Sequence, residues 1–161
     1  SGGGTTGGIE GGIVSAFDGV ATADVIVDEF KDATPVYADV IVDGGPSDAE
    51  VQARIDELRP VGITHNLIRP TQITIDVTAD VTGTGADAST LESAVTEYIG
   101  ELGIGEDVVR DSIIATLMTE DPDVTGIDSL TVSDSGGEIA DDRAIGPREK
   151  AIPETVSVTV V

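Results

Sequence analysis

The stretch ELRPVGITHNLIRPTQITIDVTADVTG, residues 57–83, decides how this chain is divided. Two Arg-Pro pairs, Arg59-Pro60 and Arg69-Pro70, bracket a short segment that holds His65, the only histidine. A strict alternation follows, in which Ile73, Ile75, Val77, Ala79 and Val81 interleave with Thr74, Asp76, Thr78 and Asp80. Period two, with one apolar and one polar face, is the pattern of a strand that buries one side only. Proline holds the residue before it in extended geometry and donates no backbone hydrogen bond, so each Arg-Pro suits a boundary. The stretch therefore reads as a joint between two structural units.

Upstream of the joint, PSDAEVQARIDEL (46–58) opens with Ser47 and Glu50 at capping-box spacing. Val51, Ile55 and Leu58 then form one apolar helical stripe, and Pro60 and Gly62 end it. Residues 63–69 predict a strand closed by Pro70. Further back, DVIVD occurs twice, at 24–28 and 39–43. Each copy is a short β-branched run, and the EFKDATPVYA between them carries turn formers, so two antiparallel strands joined by a long loop are expected. Ile9, Ile13, Ala16, Phe17 and Val20 stand at helical spacing over 9–20, with Gly19 as the stop; Gly11 and Gly12 weaken that helix. The first unit, 9–70, reads αββαβ.

Downstream, the alternating strand leads through GTGAD into a helix with Ser89 and Glu92 as its capping box. Its stripe is Leu91, Ala94, Val95, Tyr98, Ile99 and Leu102, and Gly103 stops it. A second helix over 106–118 has apolar residues around much of its circumference, which predicts packing on two partners. Strands at 129–132 and 155–160 complete the second unit, 71–161, as βααββ. The fold class is α+β: two small antiparallel sheet-plus-helix units, ferredoxin-like in character.

Composition limits the function. At 161 residues the chain suits one ordinary domain or two small ones. Its formal net charge is −23, which repels nucleic-acid phosphates and anionic lipids. Strong acidity with few aromatics often means disorder, but the regular apolar periodicity argues for a folded protein. Only Lys31 and Lys150 are lysines among 31 acids, a composition suited to concentrated salt, where carboxylate repulsion is screened within about 3 Å. A haloarchaeal-type origin accounts for it. With no cysteine, disulfides and thiolate metal sites are excluded. No apolar run is long enough to span a membrane and no signal peptide opens the chain. The start, SGGGTTGG (1–8), reads as a linker or an engineered junction to something longer.

Three segments carry a resemblance: ARIDELRPVGITHNLIRPTQITIDVTADV, STLESAVTEYIGELGIGEDVVRDSIIATLM and GEIADDRAIGPREKAIPETVSVTV. Together they resemble the C-terminal half of baseplate J-like proteins, wedge subunits of contractile tails in phages, archaeal viruses and related injection machines. The helix ending in Arg59-Pro60-Val61-Gly62, then a Pro70-led alternating strand and a helix pair, carries most of it. The likeness spans roughly residues 9–160. It implies a structural, non-enzymatic subunit that assembles with other baseplate subunits, including into a ring, in a virion tail or an injection particle built in the cytoplasm of a halophilic host. It implies no catalytic residue and no cofactor.

Chemical motifs were weighed beside that likeness. SDSGGE (133–138) imitates a serine-protease GDSGGP, with His65 earlier in the chain, but Ser133 and Glu138 replace its glycine and proline, so a polar turn is the simpler reading. Gly2, Gly4 and Gly7 spell G-x-G-x-x-G with no strand before them. His65 has no second histidine or cysteine beside it and reads as a structural residue. The pairs Asp121/Asp123 and Asp141/Asp142 lack calcium-loop spacing. The segment 134–154 reads as an unusually long connection holding Arg143, Arg148 and Lys150, three of eight basic residues. It is expected either to dock on an acidic neighbour or to clamp to its own body. The competing function is a small-molecule-sensing α+β regulatory module.

Overall fold

The structure, a computed structural model, describes residues 6–28 and 37–161. The chain divides into two compact units, Ser1–Thr71 and Gln72–Val161. Both are α+β. Expectations at Gly2, Gly4 and Lys31, and the loop over 29–36, lie outside the described residues.

In the first unit, helix α1 (Thr6–Ala16) precedes a single 3-10 turn and strands β1 (Val25–Asp28) and β2 (Tyr37–Val42); helix α2 (Asp48–Leu58) and strand β3 (Thr64–Ile68) follow. The order is αββαβ, as the sequence predicts. Ser47 caps α2 and Glu50 returns the bond to the Ser47 main chain, so the capping box is complete. Ile9 and Ile13 of α1, Val51 and Ile55 of α2, and Val25, Val40 and Val42 of the sheet close one aliphatic core. Gly12 has a packing reason, because a Cβ there would fall 2.6 Å from Leu58 Cδ1. The pairing differs from expectation in one respect: β1 and β2 are antiparallel, but β2 and β3 are parallel. The helix between β2 and β3 carries the chain back to the starting edge, which is what parallel neighbours require.

The second unit contains β4 (Thr71–Thr82), α3 (Ala88–Gly100), α4 (Arg110–Thr119), β5 (Gly126–Asp134), β6 (Gly137–Ile139) and β7 (Glu149–Val160), with sheet order β6-β5-β4-β7. Ile75, Val77, Ala79 and Val81 are fully buried against Leu91, Val95 and Ile99 of α3 and Ile113 and Leu117 of α4. Burying such side chains stabilises by about 1.5–3 kcal/mol each. β4 and β5 are antiparallel, with a shift in register between Asp80 and Val81. On the β7 side, Thr155 N donates to Asp76 Oδ1 and Val161 N donates to the Val81 carbonyl, so partner numbers rise together and these neighbours run parallel.

Several local expectations are corrected. The α3 cap is Asp87, whose Oδ1 accepts from the Ser89 amide at 2.9 Å, while Glu92 reaches β7 instead of the helix start. α4 begins at Arg110, not 106, because Val108 is held in a β-bridge to Arg143. The hairpin β5–β6 adds a strand, giving βααβββ. Gly83 turns the chain out of β4 at φ 148°, and a Cβ there would overlap the carbonyl of Asp123.

Candidate functional site

The basic segment is built quite differently from a long free loop. β5 extends to Asp134 and β7 starts at Glu149, so the connection after β6 spans only 140–148. It is stitched onto the link between α3 and α4. Arg143 N donates to the Val108 carbonyl at 2.9 Å and Val108 N returns the bond at 3.0 Å. Ile145 N donates to Asp107 Oδ1 at 2.7 Å, with the Ile145 side chain buried. Asp142 Oδ1 accepts from Arg110 N at 2.9 Å, at the first turn of α4, where a carboxylate complements the helix dipole. Glu149 closes the base, accepting from Gly146 N through its side chain and from Gly105 N through its carbonyl.

Each predicted cation has a defined place. Arg143 Nε donates to Asp134 Oδ2 at 2.7 Å, and its guanidinium also bonds the Ala144 carbonyl. The Arg143 hydrogen bond, then the Gly136 amide, holds the Asp134 carboxyl below its ordinary value. Lys150 is 5% exposed, and its Nζ donates to the Leu102 carbonyl at 2.9 Å. Leu102 lies just past the α3 C-terminus, where positive charge is favoured. Arg148 is half-buried between Pro147 and Glu149. Arg143 and Lys150 thus contact the body of their own unit. Chemically the arrangement shapes a loop; it carries no nucleophile beside a base.

The imitation of a protease motif resolves as turn chemistry. Ser135 is exposed in the β5–β6 turn, which Asp134 builds by accepting from Gly136 N at 2.8 Å. His65 belongs to the other unit and is 3% exposed in β3, its carbonyl accepting from Gln52 Nε2. Gly7 lies in α1. Asp121 serves backbone: Oδ2 accepts from Asp87 N and Oδ1 from Asp123 N. Among the described residues no three His, Cys, Asp or Glu side chains are grouped to hold a metal ion, and no helix is long and apolar enough to cross a membrane.

Sequence reasoning missed Asp107, Asp142 and Glu149. Each works by accepting main-chain N–H groups, in the first two cases from residues more than 30 positions away. No spacing signal exists for such contacts, since the donor is a backbone amide present at nearly every position.

No family model matches the sequence, and no curated protein matches it. Among solved structures, the fold is similar to a chain of the anti-feeding prophage (AFP) baseplate, determined by cryo-EM with 6-fold symmetrisation. The TM-score is 0.64 at 14% identity, over 93% of this chain. The chain spans 37% of the length of that baseplate chain. At this identity the likeness establishes the fold.

Proposed function

We propose that this chain is a structural subunit of a contractile-tail or injection-system baseplate, acting by protein–protein assembly. The observation that carries the proposal is the fold shared over 93% of the chain with a chain of the AFP baseplate. The sequence resemblance to the C-terminal half of baseplate J-like wedge proteins supports the same reading and narrows it to a wedge subunit whose partners are other baseplate subunits. The net charge of −23 supports a haloarchaeal or haloarchaeal-virus setting.

Within this reading, the 140–148 loop is the docking element for an acidic neighbour. Arg148 makes the contact, while Arg143 and Lys150 fix the loop and its base.

The test is immunolabelling. An antibody to this chain is applied to particles pelleted from the source culture and viewed by negative-stain electron microscopy. Label confined to one end of the tails is expected. Unlabelled tails, with the antigen in the soluble fraction, would overturn the proposal.

A further inference from the structure

Carboxylates dominate this surface, yet one strand at a free sheet edge has almost none. In the order β6-β5-β4-β7, β7 has a hydrogen-bonded strand on one side only. Its last part and the following residue, TVSVTVV (155–161), run seven positions without a charged side chain. The other described edges are short: β1 has four residues and ends in Asp28, β6 has three around Glu138, and β3 has five. A long uncharged edge is a template for another strand, and folded proteins generally block such edges with charge, brevity or a cover.

Backbone direction shows what is on offer. Thr155 and Val161 turn their amides toward β4, so by the alternation of a strand Val156, Val158 and Val160 turn theirs away from it. Val158 N donates to Glu92 Oε1 of α3 at 3.4 Å, a long bond that a flexible side chain can release. Val160 is 36% exposed and Val161 is 61% exposed.

The charges beside this edge share one sign. Asp76 bonds Thr155, Glu92 bonds Val158, and Glu154 leads into the run. Elsewhere in this unit Arg110 and Arg143 are tied to β5, and Lys150 is buried against Leu102. A second copy would bring the same carboxylates against these; a cationic segment would complement them.

We propose that the outer edge of β7 accepts an extended segment of a neighbouring subunit, in which apolar residues alternate with Lys or Arg, by strand addition. Main-chain bonds form to Val156, Val158 and Val160, and the incoming cations sit beside Glu92 and Glu154. Glu92 leaves the Val158 amide as an incoming carbonyl replaces it. The inference rests on the assembly reading only in assigning the segment to a neighbouring subunit.

The test uses the full chain and two labelled peptides, KVKVTVK and EVEVTVE, in fluorescence anisotropy, with circular dichroism and unfolding midpoints as fold controls. Saturable binding of the cationic peptide is expected, at least tenfold tighter than that of the acidic one. Val160→Pro, which removes an outward donor, and Val160→Lys, which places repelling charge at the edge, should each weaken it at least tenfold. If the proline variant loses its fold, the lysine variant carries the test. Absence of cationic-peptide binding, or equal binding by all folded variants, would overturn the proposal. So would self-association of the chain that Val160→Lys abolishes, which would assign the edge to a second copy. These results are independent of where an antibody finds the chain on a particle.

Discussion

Lys150 Nζ donates to the Leu102 carbonyl at 2.9 Å, joining the start of β7 to the end of α3 from a position 48 residues further along the chain. An ammonium this deeply buried is stable only where a hydrogen-bond acceptor meets it, and a carbonyl past a helix C-terminus is such an acceptor.

Lys150→Met is therefore expected to lower unfolding stability by about 1–3 kcal/mol, the cost of leaving a buried carbonyl unsatisfied. Urea denaturation monitored by circular dichroism measures it. Arg148→Glu should leave the midpoint unchanged and weaken assembly with an acidic partner. Unimpaired assembly by that variant would remove the docking role of the loop.

Arg69 stands at the exit of the first unit and makes four bonds with one guanidinium: Nη1 to the Val42 and Gly44 carbonyls, Nη2 to Pro46, and Nε to Asp48. Arg69→Ala should cost about 2 kcal/mol, and Arg69→Lys should restore little, because a point charge cannot serve a planar fork of acceptors. The two variants compared by denaturant unfolding decide it. Full rescue by lysine would show that charge alone matters.

Two carboxyls are held below the ordinary value of 3.8: Asp87 by the Ser89 side chain and amide, and Asp134 by Arg143 and the Gly136 amide. The unfolded state then binds protons at a higher pH than the folded state. Their contribution is fully present above the ordinary value and is lost as pH falls through the lowered ones. Stability measured from pH 6 downward should decline below about pH 4, and less steeply in Asp87→Asn and Asp134→Asn.

Screening should stabilise the whole chain. Raising KCl from 0.1 M to 2 M shortens the Debye length from about 10 Å to below about 3 Å. We expect the thermal midpoint to rise by about 10 °C, equivalent to about 3 kcal/mol for a domain of this size. A flat response would remove the argument for a saline setting.

The parts of the fold that sequence made legible are those where side chains alternate with a single period. β4 announced its buried face residue by residue, and Ser47 with Glu50 announced α2. Pro153 concealed the true length of β7, because a proline normally argues against a strand interior and is tolerated only at an edge such as this one. The direction of β3 was latent in the strand–helix–strand order, though its own five residues do not encode it. The cations were the least legible. Arg54, Arg59, Arg69, Arg110, Arg143 and Lys150 each donate to a main-chain carbonyl, an acceptor present at every residue. In so acidic a chain, carboxylates can satisfy stray amides, but only a donor can satisfy a stray carbonyl. That division of labour explains where its few basic residues are found.

Between the end of β3 at Ile68 and the start of β4 at Thr71 lie only Arg69 and Pro70. Any tension carried along the polypeptide from one unit to the other must pass through that dipeptide. The grip of Arg69 on the end of β2, the loop after it and the start of α2 acts there as a cable clamp does beside a connector. A pull arriving at Pro70 is spread over three elements before it can begin to strip β3 from its sheet.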